Sequence, residues 1–336
     1  MRADQEQSVQ RAKTSAPALP KAHSKGAFAG VKAAVRAMRV SQWSKNGFVL
    51  LALIFARRLS DGTALGRTLI AFVAFCFASS AVYIINDLAD RERDRSHPRK
   101  RLRPIASGEL SLRGAAITLT ICLCVAAGLV ALLTFTAQPD IADPFHRWGG
   151  SQILFVLTML SYVAINIAYS FWLKHLVIWD IFVIAAGFVL RALAGAFVIP
   201  VPISTWFYVC MTFLALFLAL GKRRSELIRL TDQAIIHRQN LRHYSLGLLD
   251  QLIGIVVTAM LLTYCLYTFQ GENSNHDLML TIPVVLFGTF RYLYLMYARA
   301  DGDQPDEVLW RDRQILGAVI VYAVFVVILL YAIPGH

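Results

Sequence analysis

Long apolar runs recur along this chain about every 25 to 40 residues, and they constrain its fold more than any other feature. Each is close to the roughly 20 residues with which a helix crosses a bilayer. Hydrophobic residues make up 57% of the 336 residues and charged residues only 16%, which is more apolar surface than a soluble core of this length needs. A large soluble protein with buried helices is therefore a poor alternative. The sequence predicts an all-α, polytopic membrane helical bundle.

The apolar runs give nine candidate transmembrane helices, of which the first is the least regular because its purely apolar part is short. They cover about residues 43–58, 68–87, 113–135, 152–170, 177–199, 206–221, 251–269, 280–297 and 314–333. Residues 1–28 are predicted to be a disordered basic tail without the features of a signal peptide. Residues 29–40 predict a basic amphipathic helix on the membrane surface. Residues 29–336 are expected to form one transmembrane domain.

Lysine and arginine lie almost entirely on one side of these spans. With the N-terminus in the cytoplasm, 28 of the 33 basic residues are cytoplasmic, four are on the opposite side, and Arg191 lies within a span. This bias favours an odd number of spans, with the loops after spans 2, 4, 6 and 8 facing the cytoplasm. It also explains the net charge of +12 without a nucleic-acid partner, for which no binding motif is visible.

The five cysteines and eight histidines do not form a metal-binding pattern in the sequence. The cysteines all lie within apolar runs, where they are expected to act as small apolar residues. The histidines show neither HxxxH nor HExxH spacing. A zinc or haem site is therefore unsupported.

The second span ends in four oxygen acceptors, Asn86, Asp87, Asp90 and Asp94. Positions i, i+4 and i+8 share one helical face, and Asp87 adds i+3 and i+7 neighbours. Carboxylates this close repel one another unless a cation lies among them. An array of oxygen ligands suits Mg²⁺, which takes a few carboxylates together with water and phosphate oxygens. The alternative is a solvated helix end with alternating salt bridges.

A basic block follows this array and includes Lys100, Arg101 and Arg103. Guanidinium and ammonium groups beside a Mg²⁺ site typically hold phosphates. The alternative is that the block serves only as a positive-inside signal. Together, the acceptors and the block predict a Mg²⁺ and phosphate site.

The fifth span contains Asp180 and Arg191, eleven residues apart and therefore on one helical face, with Gly187 near the same stripe. An arginine at membrane depth is costly unless it is paired or faces a wet cavity. We expect both residues to bind substrate. The alternative for Arg191 is a structural partner such as a buried carbonyl or carboxylate.

The stretch NDLADRERD resembles the first aspartate motif of the UbiA superfamily of intramembrane prenyltransferases, and the resemblance covers about residues 39 to 333. It implies a nine-helix bundle whose cytoplasmic cavity binds a Mg²⁺-diphosphate and a polyisoprenoid chain. It also implies that Asp87, Asp90 and Asp94 are catalytic and, with Asn86, bind the metal.

Two further elements are interpreted through the same resemblance. The stretch YSFWLKH falls where the family has a YxxxxK element, which implies that Tyr169 and Lys174 are phosphate ligands. Both residue types are also common interfacial anchors. In QWSKN, Lys45 and Asn46 are interpreted in the same way.

The loop after the sixth span departs from the family pattern. The family usually carries a second aspartate motif there, whereas this chain has Lys222, Arg223 and Arg224, with Glu226 as a carboxylate. A cationic loop suits direct phosphate contact better than a second metal, although positive-inside charge alone is an alternative. The loop and several other stretches are similar to the decaprenyl-phosphate phosphoribosyltransferase branch.

That branch transfers 5-phosphoribose from phosphoribosyl pyrophosphate to a polyprenyl phosphate. The resemblance therefore implies these two substrates, Mg²⁺ and the membrane bilayer as partners, and it leaves a homo-oligomer open. The first alternative is prenyl transfer from a prenyl diphosphate to an aromatic or other acceptor. The second is a transporter or flippase, which does not explain charges crowded on one side.

Overall fold

A computed structural model describes residues 27–96, 100–137, 143–202, 204–229, 243–270, 276–298 and 312–332. The tail at 1–26 and the charged segments 230–242 and 299–311 lie outside these ranges. Within them the chain is helical and contains no strand. The α-helices are α1 (Ala27–Ala37), α2 (Leu51–Phe55), α3 (Gly62–Ala89), α4 (Arg91–Ser96), α5 (Leu112–Phe135), α6 (Ser151–Phe171), α7 (Trp179–Val198), α8 (Thr205–Arg229), α9 (Leu246–Gln270), α10 (Ile282–Ala298) and α11 (Arg313–Val327).

Eight helices in the described part of the chain are long and apolar enough to cross a membrane. They correspond to the second through ninth predicted spans, so the predicted membrane bundle is confirmed. Short polar side chains cap several of their N-termini. The Asp61 carboxylate accepts the backbone N–H groups of Thr63 and Ala64 at the start of α3, and Ser111 accepts that of Gly114 in α5.

The first predicted span is built differently, from a 3₁₀-helix over Val40–Leu50 continued by α2. Because a 3₁₀-helix rises about 2 Å per residue, the two pieces together reach about 30 Å, the thickness of a bilayer core. The segment runs antiparallel to α3. Trp43 Nε1 donates to Ser80 Oγ at 3.1 Å near one end, and Asp61 caps α3 at the other. It therefore accompanies α3 along its length, which supports a ninth crossing.

Gly195 allows this segment to approach α7 closely. A Cβ atom on Gly195 would lie 2.1 Å from the carbonyl oxygen of Val49 in the 3₁₀-helix. Small residues permit such backbone contact between membrane helices.

We expect Gly195→Ala to lower the free energy of unfolding by about 1–3 kcal/mol, because the added methyl must push the two backbones apart. Gly128→Ala in α5 is the matched control, since a Cβ there meets nothing within 4 Å. The thermal unfolding midpoint in detergent measures the difference. Equal midpoints for the two variants would mean that the close contact does not contribute.

Helix α3, which carries the predicted metal ligands Asn86 and Asp87, is the most buried of the membrane helices described. About 61% of the residues in the apolar stretch of α3 are buried, against 17% of those in α5. One core packs the first segment, α3, α6 and α7 together, and a second packs α7 through α10. Since α7 belongs to both cores, it links the two halves of the bundle.

Helix α1 confirms a helix over the first part of residues 29–40. It packs against the bundle through its small residues. Ala33 and Ala37 are fully buried in a cluster with Ile105 and Leu110. The helix ends before Arg39, whose φ of 53° is left-handed and turns the chain into the first crossing segment.

Candidate active site

The acceptor array lies where α3 gives way to α4, and we call this end of the bundle the aspartate end. Although α3 stops at Ala89, the backbone bonds from Asp90 N to Asn86 O (2.9 Å) and from Asp94 N to Asp90 O (2.8 Å) continue the helical pattern. The array therefore keeps one helical face across the break. Asp87 and Asp94 are buried, whereas Asn86 and Asp90 are half-buried.

Each of the three aspartates contacts a cation from another segment. Arg103 Nη1 lies 3.0 Å from Asp87 Oδ1 and 2.6 Å from Asp94 Oδ2. Arg39 also pairs with Asp87, and Lys174 Nζ lies 2.6 Å from Asp90 Oδ1. These pairs neutralise the repulsion that the sequence predicts within the array. They bring Arg103 and Lys174 to the array, while the role of these two residues as phosphate ligands stays a prediction.

Arg39 is the residue of this cluster that sequence reasoning missed. It lies in the stretch RVSQWSKN, but nothing in its local pattern distinguishes it from a positive-inside charge. Its guanidinium lies 4.8 Å from the centre of the Tyr83 ring, which helps to aim it at Asp87. The backbone at Arg39 is left-handed, and the sequence gives no sign of this because the residue at that position is not glycine.

The carboxylates fit a divalent cation that arrives with a phosphate ligand. The described residues contain no group of three or more His, Cys, Asp or Glu side chains close enough to hold a metal alone. Two buried carboxylates nevertheless converge on one cationic nitrogen of Arg103. Mg²⁺ in proteins often has only one or two carboxylates and completes its shell with water and substrate phosphate. This donor set therefore suits Mg²⁺ brought by a diphosphate.

A second charged cluster joins the start of α7 to α8. Arg223 is 2% exposed, and its Nη2 lies 2.7 Å from Asp180 Oδ2 while its Nη1 pairs with Glu226. The Asp180–Arg223 contact is an ion pair by distance without hydrogen-bond alignment, and Arg223 Nε has no hydrogen-bond partner in the described chain. Lys222, which directly precedes Arg223 in the sequence, is half-buried.

Tyr244 is a member of the second cluster that the sequence did not indicate. Its hydroxyl donates to Asp180 Oδ1 at 2.7 Å and accepts the backbone N–H of Ile178 at 2.6 Å. Burial raises the pKa of Tyr244 well above its ordinary value, and the hydrogen bond to Asp180 raises it further. The hydroxyl therefore remains a donor to Asp180 at physiological pH.

The connection over residues 172–178 links the two clusters. Lys174 in this connection contacts Asp90, and Ile178, which has a φ of 71°, contacts Tyr244. Tyr169 lies half-buried in the last turn of α6, just before the connection. Of the basic block, Lys100 and Arg101 lie with Arg103 in or beside one short 3₁₀ turn, where Arg101 is exposed.

Asn46 and Arg191 meet each other in the interior of the bundle. Arg191 Nε donates to Asn46 Oδ1 at 2.7 Å, and its Nη2 donates to the Tyr162 hydroxyl at 2.7 Å. Asn46 Nδ2 in turn donates to Ser79 Oγ at 3.2 Å. Ser79 lies about 12 Å below Asp87 along α3.

These contacts correspond to the structural alternative for Arg191, and the prediction that it and Asn46 bind substrate stays a prediction. Asp180 and Arg191 share α7 but belong to different networks. Lys45 lies half-buried next to Asn46.

We expect Arg191→Leu to lower the free energy of unfolding by about 1–3 kcal/mol, because it leaves Asn46 Oδ1 and the Tyr162 hydroxyl unpaired in the interior. The structural alternative also predicts that affinity for a phosphate substrate stays within about twofold of the parent, since Arg191 bonds to Asn46 and Tyr162 and not to the aspartates. Thermal unfolding and ligand titration measure the two effects, with exposed Arg147→Leu as the control. A large loss of phosphate affinity in a protein of unchanged stability would instead identify Arg191 as a ligand.

The fold and the site define a class: a helical membrane enzyme with buried carboxylates and cations gathered at one end of its bundle. Residues 47–310 match the UbiA prenyltransferase family. The chain belongs to this family, as its motifs indicated, and it is accordingly a transferase.

Two curated relatives align over most of the chain. It is 33% identical over 296 residues to a decaprenyl-phosphate phosphoribosyltransferase of Mycolicibacterium smegmatis, an alignment that covers 84% of this chain and 87% of the relative. It is 32% identical over 308 residues to the protein of that name from Corynebacterium glutamicum, with 89% and 87% covered. The predicted similarity to this branch is confirmed.

A solved structure shares the fold at low sequence identity. A UbiA homologue from Archaeoglobus fulgidus bound to GPP and Mg²⁺ superposes with a TM-score of 0.65 at 18% identity, and covers 89% of this chain and 98% of its own. At this identity the likeness supports the fold alone.

Proposed function

We propose that this protein transfers 5-phosphoribose from phosphoribosyl pyrophosphate to a polyprenyl phosphate and releases pyrophosphate, at the cytoplasmic face of the bacterial inner membrane. The observation that carries the proposal is the aspartate end, where buried carboxylates are each paired with a cation. This arrangement of carboxylates and cations occurs in a chain that is about one third identical to proteins named decaprenyl-phosphate phosphoribosyltransferase. The positive-inside bias supports the cytoplasmic orientation.

Asp87 and Asp94 would hold Mg²⁺, with Asp90 and Asn86 beside them. When bound, the metal supplies positive charge that stabilises the leaving diphosphate. Arg103 and Lys174, which now pair with these carboxylates, then become available to phosphate oxygens. The site thus changes partners without leaving a buried charge unpaired.

The reaction needs little proton chemistry. An oxygen of the polyprenyl phosphate forms a bond to ribose C1 while the bond from C1 to the diphosphate oxygen breaks, and the electron pair leaves with pyrophosphate. The attacking phosphate is already an anion, so no protein base is required. The chain's contribution is to orient the two substrates and to stabilise charge.

The second cluster supports a phosphoribosyl donor over a prenyl diphosphate donor. Arg223 pairs with both Asp180 and Glu226, so the carboxylates here are engaged by a guanidinium. Carboxylates that a guanidinium already holds suit a second metal badly, and the lysine and arginines of this segment suit a further phosphate, as on the 5-position of the donor. Because the 172–178 connection joins this cluster to the first and α7 belongs to both cores, we also propose that residues 29–336 act as one catalytic unit.

The test is transfer of label from ribose-labelled phosphoribosyl pyrophosphate into the organic phase, with Mg²⁺, a polyprenyl phosphate and the purified protein in detergent. We expect a lipid product that requires both Mg²⁺ and the polyprenyl phosphate. A parallel reaction offers a prenyl diphosphate and an aromatic acid. Turnover in that reaction, with no lipid-linked ribose in the first, would refute the proposal.

A further inference from the structure

A groove of about 470 Å³ opens at the aspartate end, between α1 and the turn that holds Arg103. It is bordered by α1, by the start of the 3₁₀-helix that follows, and by the segment that holds Arg103, through Val35, Arg36, Arg39, Val40, Leu102 and Arg103. Arg39 and Arg103 are the two arginines that pair with Asp87. The groove therefore leads from the surface directly to the carboxylate cluster.

The sides of the groove are apolar and exposed. Val35 is 47% exposed, Val40 41% and Leu102 67%. Arg36 holds the two sides together, since its Nη1 lies 2.7 Å from Glu109 Oε2 and its Nη2 donates to the Leu102 carbonyl at 3.4 Å. Exposed branched side chains on a fixed frame suit an apolar ligand, whereas a water-soluble sugar diphosphate gains nothing from them.

The inner end of the groove is cationic and partly accessible. The side chains of Arg39 and Arg103 are each 26% exposed although they contact buried Asp87. Two guanidinium groups offer the paired donors that phosphate oxygens accept. The left-handed backbone at Arg39, which seldom occurs outside glycine, is what directs this side chain inward.

An apolar channel with a cationic end is complementary to a lipid with a phosphate head. We propose that this groove binds the polyprenyl phosphate acceptor: Arg39 and Arg103 take its phosphate, and Val35, Val40 and Leu102 contact its first isoprene units. The inference rests on the proposed function and specifies where its lipid substrate enters. On α1, exposed Val31 lies one turn away from Val35 on the same helical face and outside the groove.

The first test compares two substitutions one helical turn apart on α1. Val35→Glu places a carboxylate in the wall of the groove, whereas Val31→Glu places one on the same exposed stripe outside it. We expect Val35→Glu to raise the KM for polyprenyl phosphate at least about tenfold through repulsion of its phosphate, with kcat and the KM for phosphoribosyl pyrophosphate within about twofold. Val31→Glu should leave all three within about twofold. Equal effects of the two substitutions would overturn the inference.

The second test does not depend on turnover. Leu102→Cys is labelled with a maleimide in detergent, with Val31→Cys and the parent, which contains exposed Cys124, as controls. We expect polyprenyl phosphate to slow labelling of Leu102→Cys at least about fivefold and to leave Val31→Cys unchanged, by direct occlusion. Phosphatidylglycerol and phosphoribosyl pyrophosphate at equal concentration should not protect.

The outcomes separate this inference from the proposed function. Protection without turnover would leave the groove as a lipid-phosphate site and refute the transferase proposal. Turnover with neither protection nor a change in KM would refute the groove alone. Equal protection by phosphatidylglycerol would show a general acidic-lipid site, and protection by phosphoribosyl pyrophosphate would assign the groove to the donor; both contradict the inference.

Discussion

Asp87→Asn is expected to lower the rate of phosphoribosyl transfer by about 10²- to 10³-fold at saturating substrates, the scale seen when one preorganised electrostatic group is removed. Asparagine keeps the shape of the side chain but removes the charge that holds Arg39, Arg103 and a divalent cation together. Initial rates of lipid labelling measure the effect. Mn²⁺ binding in the presence of pyrophosphate, followed by electron paramagnetic resonance, should weaken in parallel.

The matched control is Asp61→Asn at the other end of α3. Asp61 caps that helix, and asparagine is an equally good N-cap, so the activity and the unfolding midpoint of this variant should resemble those of the parent. Asp94→Asn should behave like Asp87→Asn, because both carboxylates share Arg103. An Asp87→Asn protein that keeps half the parental rate would place the metal site elsewhere.

Arg103→Gln is expected to change activity and metal affinity in opposite directions. The rate should fall about 10²-fold, because the guanidinium that stabilises phosphate charge is lost. Without pyrophosphate, however, the affinity for Mn²⁺ should rise severalfold, because Asp87 and Asp94 no longer share a competing cation. Steady-state kinetics and a metal titration of the ligand-free protein measure the two effects.

A purely structural role for Arg103 predicts a different outcome, since loss of the ion pairs would then lower both quantities together with the unfolding midpoint. Arg113→Gln provides the control: Arg113 is exposed in the first turn of α5, near the same end of the bundle, and we expect no change in either measurement. If Mn²⁺ affinity falls in Arg103→Gln, the exchange of partners at the aspartate end is wrong.

Much of the bundle could be predicted because the residues that make each span a helix lie within that span. An apolar run of sufficient length becomes a helix in a bilayer whatever its neighbours are, since backbone groups must be satisfied within the segment. Eight predicted spans accordingly match helices. The first segment could not be predicted in detail, because its 3₁₀ geometry depends on contact with α3 and on the missing side chain at Gly195.

The acceptor array is the part of the candidate site that the sequence alone determined, because a spacing of four fixes a common helical face. The choice of partners was decided only by the tertiary structure. Arg39 reaches Asp87 from 48 residues away, and Lys174 reaches Asp90 from 84. Many basic residues carry the same positive-inside signature, and only the packing of α1, α3 and the 172–178 connection determines which of them meet a carboxylate. Periodicity specifies the face that a side chain occupies, whereas the opposing charge comes from a distant segment and is set by the fold.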